Sequence, residues 1–193
     1  MEKKEIRVNA QLRALDGESR TIEGYAIRFD EWSVDLGGFY EIIRPTAITQ
    51  ELLDKSDIIM NVDHDNERML ARWKEGKGTL QLELRADGLY FKFDAPTTAN
   101  GDELLFNVKA GNLTECSFAF TVGDGPDDDR WYRDEQGTLR REISLIKGLY
   151  DTSIVVKAAY PTTSVSARSQ EVMATVGEVD KAMDEIDEKF KNL

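Results

Sequence analysis

At 193 residues the chain has room for one domain of ordinary size plus an appendage, and 40% hydrophobic with 32% charged content suits a packed core rather than disorder. A formal net charge of −12 argues against partners that present phosphates, so neither nucleic acid nor a membrane surface is expected and proteins are the expected partners. A single cysteine and a single histidine exclude an intramolecular disulfide, a Cys-based metal cluster and a His-rich zinc site, and no metal or cofactor is assigned. With no apolar leader at its start and no run of membrane-spanning length, the chain is expected to be soluble and unexported.

Residues 4–14 and 21–29 are short runs rich in Val, Ile and Tyr around the turn-forming Asp16-Gly17-Glu18-Ser19, which reads as an opening β-hairpin. A short helix opened by Thr46 is expected over residues 46–55, followed by a strand at 57–62 that ends beside His64. Leu80, Leu82 and Leu84 alternate with polar residues before Ala86-Asp87-Gly88, so residues 78–85 and 88–93 form a second hairpin. After Pro96, a polar and acidic start is followed by Leu104, Leu105 and Val108 at helical spacing and then by Gly111; this predicts a helix of roughly three turns.

Residues 115–122 alternate Ser117, Ala119 and Thr121 with Cys116, Phe118 and Phe120, which places the serine on a strand and facing away from its apolar neighbours. Residues 123–137, with Asp127-Asp128-Asp129, Gly125 and Pro126, read as a mobile surface connection, with room for a β-ribbon through Trp131 and Tyr132. Two more strands are expected at 140–146 and 150–157. The total of about seven strands with crossing helices fits a mainly β (α+β) protein built on a closed β-barrel over residues 1–168. Beyond Arg168, Val172, Val176, Val179, Met183, Ile186 and Phe190 recur at heptad spacing, so residues 169–193 are expected to form an amphipathic C-terminal helix. It is too short for a stable coiled coil on its own and needs a surface to dock on.

An activated serine requires a base to take its proton, a third group to orient the base and donors for the oxyanion. His64 is the only imidazole available, and Asp63, Asp65 and Asn66 flank it where a core histidine would have apolar neighbours. By residue pattern alone His64 also suits a structural role, and Ser117 a packed strand position. Cys116 reads as a small core residue. Asp63, Asp65 and Glu67 lack the glycine and the spaced bidentate Glu of a calcium loop and read as a solvated turn.

Five blocks in order alter that balance: Arg20-Thr21-Ile22-Glu23-Gly24-Tyr25-Ala26; His64-Asp65 with Ala71-Arg72; Gly111-Asn112-Leu113 leading to Ser117-Phe118-Ala119-Phe120; 149–155 from Leu149-Tyr150-Asp151 onward; and Ala159-Tyr160-Pro161-Thr162-Thr163. Over roughly residues 5–168 the chain resembles the tailed-phage (caudovirus) prohead maturation serine proteases, which are similar in fold to the herpesvirus assemblins. That resemblance implies Ser117 as nucleophile, His64 as base and Asp151 as the orienting acid, where many members carry Glu; Glu142 on the preceding strand is the second candidate. Gly111 and Asn112, just ahead of the serine strand, are candidates for an oxyanion loop, with a helix C-cap as their commoner use. The resemblance further implies a serine endopeptidase in the host cytoplasm, inside the viral procapsid, that cleaves scaffold protein or the scaffolding region of the major capsid protein, and itself. The alternative is a non-enzymatic β-barrel assembly module of the procapsid. The tail then serves to dock on scaffold, to self-associate through residues 169–193, to close the core, or as a propeptide.

Overall fold

The computed structural model describes residues 4–123, 125–155 and 175. Among them the chain is mainly β, with twelve strands, two short α-helices and two 3-10 turns. In chain order the strands are β1 (Glu5–Ala14), β2 (Thr21–Arg28), β3 (Phe39–Ile43), β4 (Asp57–Val62), β5 (Ala71–Lys74), β6 (Lys77–Gly78), β7 (Gln81–Arg85), β8 (Gly88–Asp94), β9 (Glu115–Val122), β10 (Asp129–Arg133), β11 (Leu139–Ile143) and β12 (Ile146–Val155). The helices are α1 (Gln50–Lys55) and α2 (Ala99–Lys109).

Nine strands form one sheet in the order β6-β5-β4-β12-β9-β1-β2-β8-β7. Strand β1 turns its corner: residues 5–11 pair with β9, and Leu12, Arg13 and Ala14 pair with β2. The sheet remains open, which corrects the closed barrel expected from the sequence. Its edges β6 and β7 are joined by only Thr79 and Leu80, yet no ladder links them. Strand β6 has two residues, paired with Trp73 and Lys74 of β5, and the Leu80 N–H donates to the Arg72 carbonyl on β5 at 3.1 Å. So short an edge cannot sustain a closing ladder. Gly78 sits at φ 131°, where a Cβ would meet the Arg72 carbonyl oxygen at 2.0 Å, so this fold-back requires glycine.

Strands β10, β11 and β3 form a separate three-stranded sheet, antiparallel between β10 and β11 and parallel between β11 and β3. Within the stretch expected to be a surface connection, the β-ribbon allowed for through Trp131 and Tyr132 is present as β10 paired with β11, and Trp131 packs on Phe39 with ring centroids 4.9 Å apart. The first helix also differs from expectation. Pro45–Ala47 is a 3-10 turn, Ile48 is extended, and α1 is capped by Thr49, whose side chain accepts from the Leu52 N–H, not by Thr46. The second helix starts at the Thr98 cap. One core, with Ile22, Ile27, Leu53, Met60, Phe91, Phe93, Leu104, Phe118, Phe120 and Ile154 buried in it, joins both helices to the large sheet. The helical tail expected over residues 169–193 lies outside the described residues, apart from Thr175.

Candidate active site

Three adjacent strands carry the site. Strand β12 lies between β4, to which it is parallel, and β9, to which it is antiparallel. Cross-strand partners project to the same face, so register decides which side chains meet. Ser153 is opposite Ser117 on one side and Asn61 on the other; Asp151 is opposite Ala119 and Ile59. Ser117, Ser153, Asp151 and Asn61 thus share a face. Cys116, Phe118 and Phe120 take the other face, inside the core. A register shift between Leu149 and Asp151 breaks the β9–β12 ladder just before the aspartate, as bulges do where a side chain must be re-aimed.

His64 lies immediately past β4 in a tight turn. Asp63 and His64 have φ of 52° and 58°, Val62 bridges to Asp65, and the Asp65 N–H returns to the Val62 carbonyl at 3.0 Å. Two successive left-handed residues mark a type I′ turn, a conformation that costs an L-residue roughly 1–2 kcal/mol each and that Asp and His tolerate better than most. Strand β12 holds this turn down. The Asp63 N–H donates to the Ile154 carbonyl at 3.1 Å, and the His64 N–H donates to Ser153 Oγ at 2.7 Å.

The ring then spans two strands. His64 Nδ1 lies 2.6 Å from Asp151 Oδ1, and Nε2 lies 2.7 Å from Ser117 Oγ. A carboxylate only accepts, so Nδ1 carries the proton and Nε2 of the neutral ring is an acceptor. The Ser117 hydroxyl therefore has one proton and two acceptors, because the Arg7 carbonyl on β1 is 2.8 Å from the same Oγ. Ser117 is 0% exposed, whereas the His64 and Asp151 side chains retain 20% and 15% of their surface.

Arg7 is itself fixed by a buried ionic cluster. Its guanidinium donates to Glu41 Oε1 at 2.7 Å and Glu5 Oε2 at 2.6 Å. Arg141 donates to Glu5 Oε2 at 2.6 Å, Glu41 Oε2 at 2.9 Å and Asp129 Oδ2 at 3.0 Å. All five side chains are buried, and they bind the start of β1 to the three-stranded sheet. Burial pushes the Glu41 carboxyl up, but Arg7 and Arg141 outweigh it and hold it below its ordinary value.

The other sequence candidates lie elsewhere. Glu142 is engaged in the small sheet, accepting from the Tyr132 hydroxyl at 2.8 Å and pairing with Arg44 at 2.9 Å, while Asp151 occupies the Nδ1 side of His64. Gly111, at φ 73°, and Asn112 close α2 in a Schellman cap: their N–H groups donate to the Val108 and Asn107 carbonyls at 3.1 and 2.9 Å. Both are engaged with helix carbonyls. Burial pushes the Cys116 thiol up to about 12, which suits a core residue and not a thiolate nucleophile. Asp65 caps the 3-10 turn Asn66–Arg68, and among the described residues no group of three or more His, Cys, Asp or Glu side chains is arranged to hold a metal ion. Sequence reasoning passed over Ser153 and Arg7. Ser153 looked like an ordinary strand residue, and the role of Arg7 rests on its carbonyl, which carries no side-chain signature.

The family described as caudovirus prohead serine protease matches residues 6–178. No curated protein matches the chain. Among solved structures the chain is similar to the bacteriophage T4 capsid assembly protease, at 9% identity and a TM-score of 0.47, over 79% of this chain and 98% of that one.

Proposed function

We propose, because this chain belongs to the caudovirus prohead serine protease family, that it is an endopeptidase whose catalytic groups are Ser117, His64 and Asp151. The supporting observation is the continuous hydrogen-bonded run from Asp151 Oδ1 through both ring nitrogens of His64 to Ser117 Oγ, at 2.6 and 2.7 Å. Distances of this size are within the reach a general base needs. Ser117 Oγ attacks the scissile carbonyl carbon while Nε2 of His64 takes the hydroxyl proton. Asp151 holds Nδ1–H and stabilises the imidazolium that forms. The imidazolium returns its proton to the leaving amine nitrogen as the C–N bond breaks, which leaves an acyl ester on Ser117. Water deprotonated by the same Nε2 then cleaves that ester and restores the hydroxyl. Because Ser117 is fully buried, a peptide reaches Oγ only after the covering chain gives way.

The substrates under this reading are scaffold protein, the scaffolding region of the major capsid protein and the protease itself, cut inside the procapsid. Co-expression with capsid and scaffold proteins should yield shortened products that disappear in Ser117→Ala and in His64→Ala. Shortening that persists in both variants means another protein is cutting. A fluorophosphonate probe should label Ser117 in the wild type and not in Ser117→Ala; the absence of both labelling and cleavage in the wild type refutes the enzymatic reading in favour of an assembly module.

A further inference from the structure

Two consecutive residues with positive φ are an unstable platform for a base that must hold its ring within hydrogen-bond reach of two strands. What restrains the turn is therefore a functional matter. Its outer end is tied by the Asn61 Nδ2 donor to Asn66 Oδ1 at 3.2 Å, and its inner end by Ser153. Ser153 is 0% exposed, and its Oγ lies 2.7 Å from the His64 backbone nitrogen and 3.4 Å from the Asn61 carbonyl. One hydroxyl can serve both, accepting from the His64 N–H and donating to the β4 carbonyl. Ser153 is also opposite both Ser117 and Asn61 and two residues from Asp151.

We infer that Ser153 is a positioning residue: its buried hydroxyl anchors the backbone of His64 to β12, which fixes the distance between the imidazole and both Asp151 and Ser117. The inference rests on the catalytic reading above for its effect on rate, but not for its structural content. Without the Ser153 hydroxyl, the His64 N–H loses its acceptor on β12, and the strained turn loses a hydrogen bond that holds it in place. The turn then relaxes and the ring shifts relative to a Ser117–Asp151 pair that stays fixed in the sheet. Misplacement on the scale of 1 Å costs a reaction roughly 100-fold.

The test exploits His64 being the only histidine in the chain, so that a single set of imidazole resonances reports on it. In the wild type, the Nδ1 proton shared with Asp151 should give one exchange-protected resonance far downfield in the proton spectrum. In Ser153→Ala that resonance should broaden or vanish, and kcat on a capsid-derived peptide should fall roughly 10–100-fold with KM little changed. Ser153→Cys fills the same space with a weak acceptor; it should keep the near-ultraviolet circular dichroism of the wild type while losing the resonance. A folded Ser153→Ala or Ser153→Cys protein with the wild-type resonance and kcat overturns the inference. The resonance needs no turnover. A wild type that neither cleaves nor labels therefore sinks the catalytic reading, while the spectra still decide whether Ser153 holds the turn.

Discussion

Replacing Arg141 with Met should be among the most damaging single changes outside the site. Three carboxylates, Glu5, Glu41 and Asp129, face two guanidinium groups, Arg7 and Arg141, in a cluster whose members are all buried. Without Arg141, Arg7 alone of these two guanidinium groups remains to serve the carboxylates. Asp129 loses the Arg141 Nε donor at 3.0 Å, and Glu5 loses donors at 2.6 and 3.2 Å. Breaking a buried pair by removing one partner costs about 3–5 kcal/mol, because the remaining charge loses that partner without gaining hydration. For a chain of this size each kcal/mol lowers the melting temperature by roughly 2–4 °C, so a fall on the order of 10 °C is expected. Urea unfolding followed by tryptophan fluorescence gives the free energy directly. Adding Glu5→Gln to Arg141→Met should recover part of the loss, since it removes a carboxylate left with Arg7 but deprived of both Arg141 donors. A cost below about 1 kcal/mol, the scale of an exposed ion pair, would show that water reaches the cluster and would refute the reasoning.

Asp151→Asn should leave the fold intact and lower kcat by about 10⁴-fold, since an amide can present a donor to Nδ1 and favour the wrong tautomer; peptide cleavage read against the melting temperature separates this from unfolding. Glu41, held below its ordinary value in the fold, stabilises fully above the unfolded glutamate pKa of about 4.3 and loses that contribution as pH falls through the lower folded value. The wild-type urea midpoint should therefore drop steeply under acid, and Glu41→Gln should flatten that limb and lower the midpoint at neutral pH; an unchanged acid limb contradicts it. Cys116, buried with its thiol pushed up, should be silent to an aromatic disulfide reagent in the native protein and titrate as one thiol in denaturant.

What could be read from the sequence was what neighbouring residues settle among themselves. The Leu80–Leu82–Leu84 alternation with Asp87-Gly88 marks the β7–β8 hairpin, and the polar, acidic start after Pro96 with Gly111 brackets α2, because turns, caps and alternation are local chemistry. Barrel closure has no such signature. It depends on whether β6 and β7 zip together, and that was decided by a Gly78 fold-back onto Arg72. The parallel pairing of β4 with β12 joins segments about ninety residues apart, and no local pattern sets its register. Yet that register puts Asp151, rather than Glu142, beside His64. The ionic cluster was hidden for a related reason: Glu5 and Arg7 alternate with Ile6 and Val8 as a solvated strand face would, Arg141 stands in the charged run Arg140-Arg141-Glu142, and only the packing of the small sheet against β1 buries them.

Arg7 belongs to two networks at once. Its guanidinium sits in the buried cluster, and its carbonyl accepts from the Ser117 hydroxyl at 2.8 Å. The Ser117 hydroxyl is therefore coupled to the ion pairs through a single residue. While β1 is anchored, the Ser117 proton has two acceptors in reach, His64 Nε2 and the Arg7 carbonyl. Attack requires that proton on the path to Nε2, and a peptide requires access to an oxygen with no exposed surface. The ionic cluster thus holds the Arg7 carbonyl against the Ser117 hydroxyl from β1, while Ser153 and Asp151 hold His64 from β12.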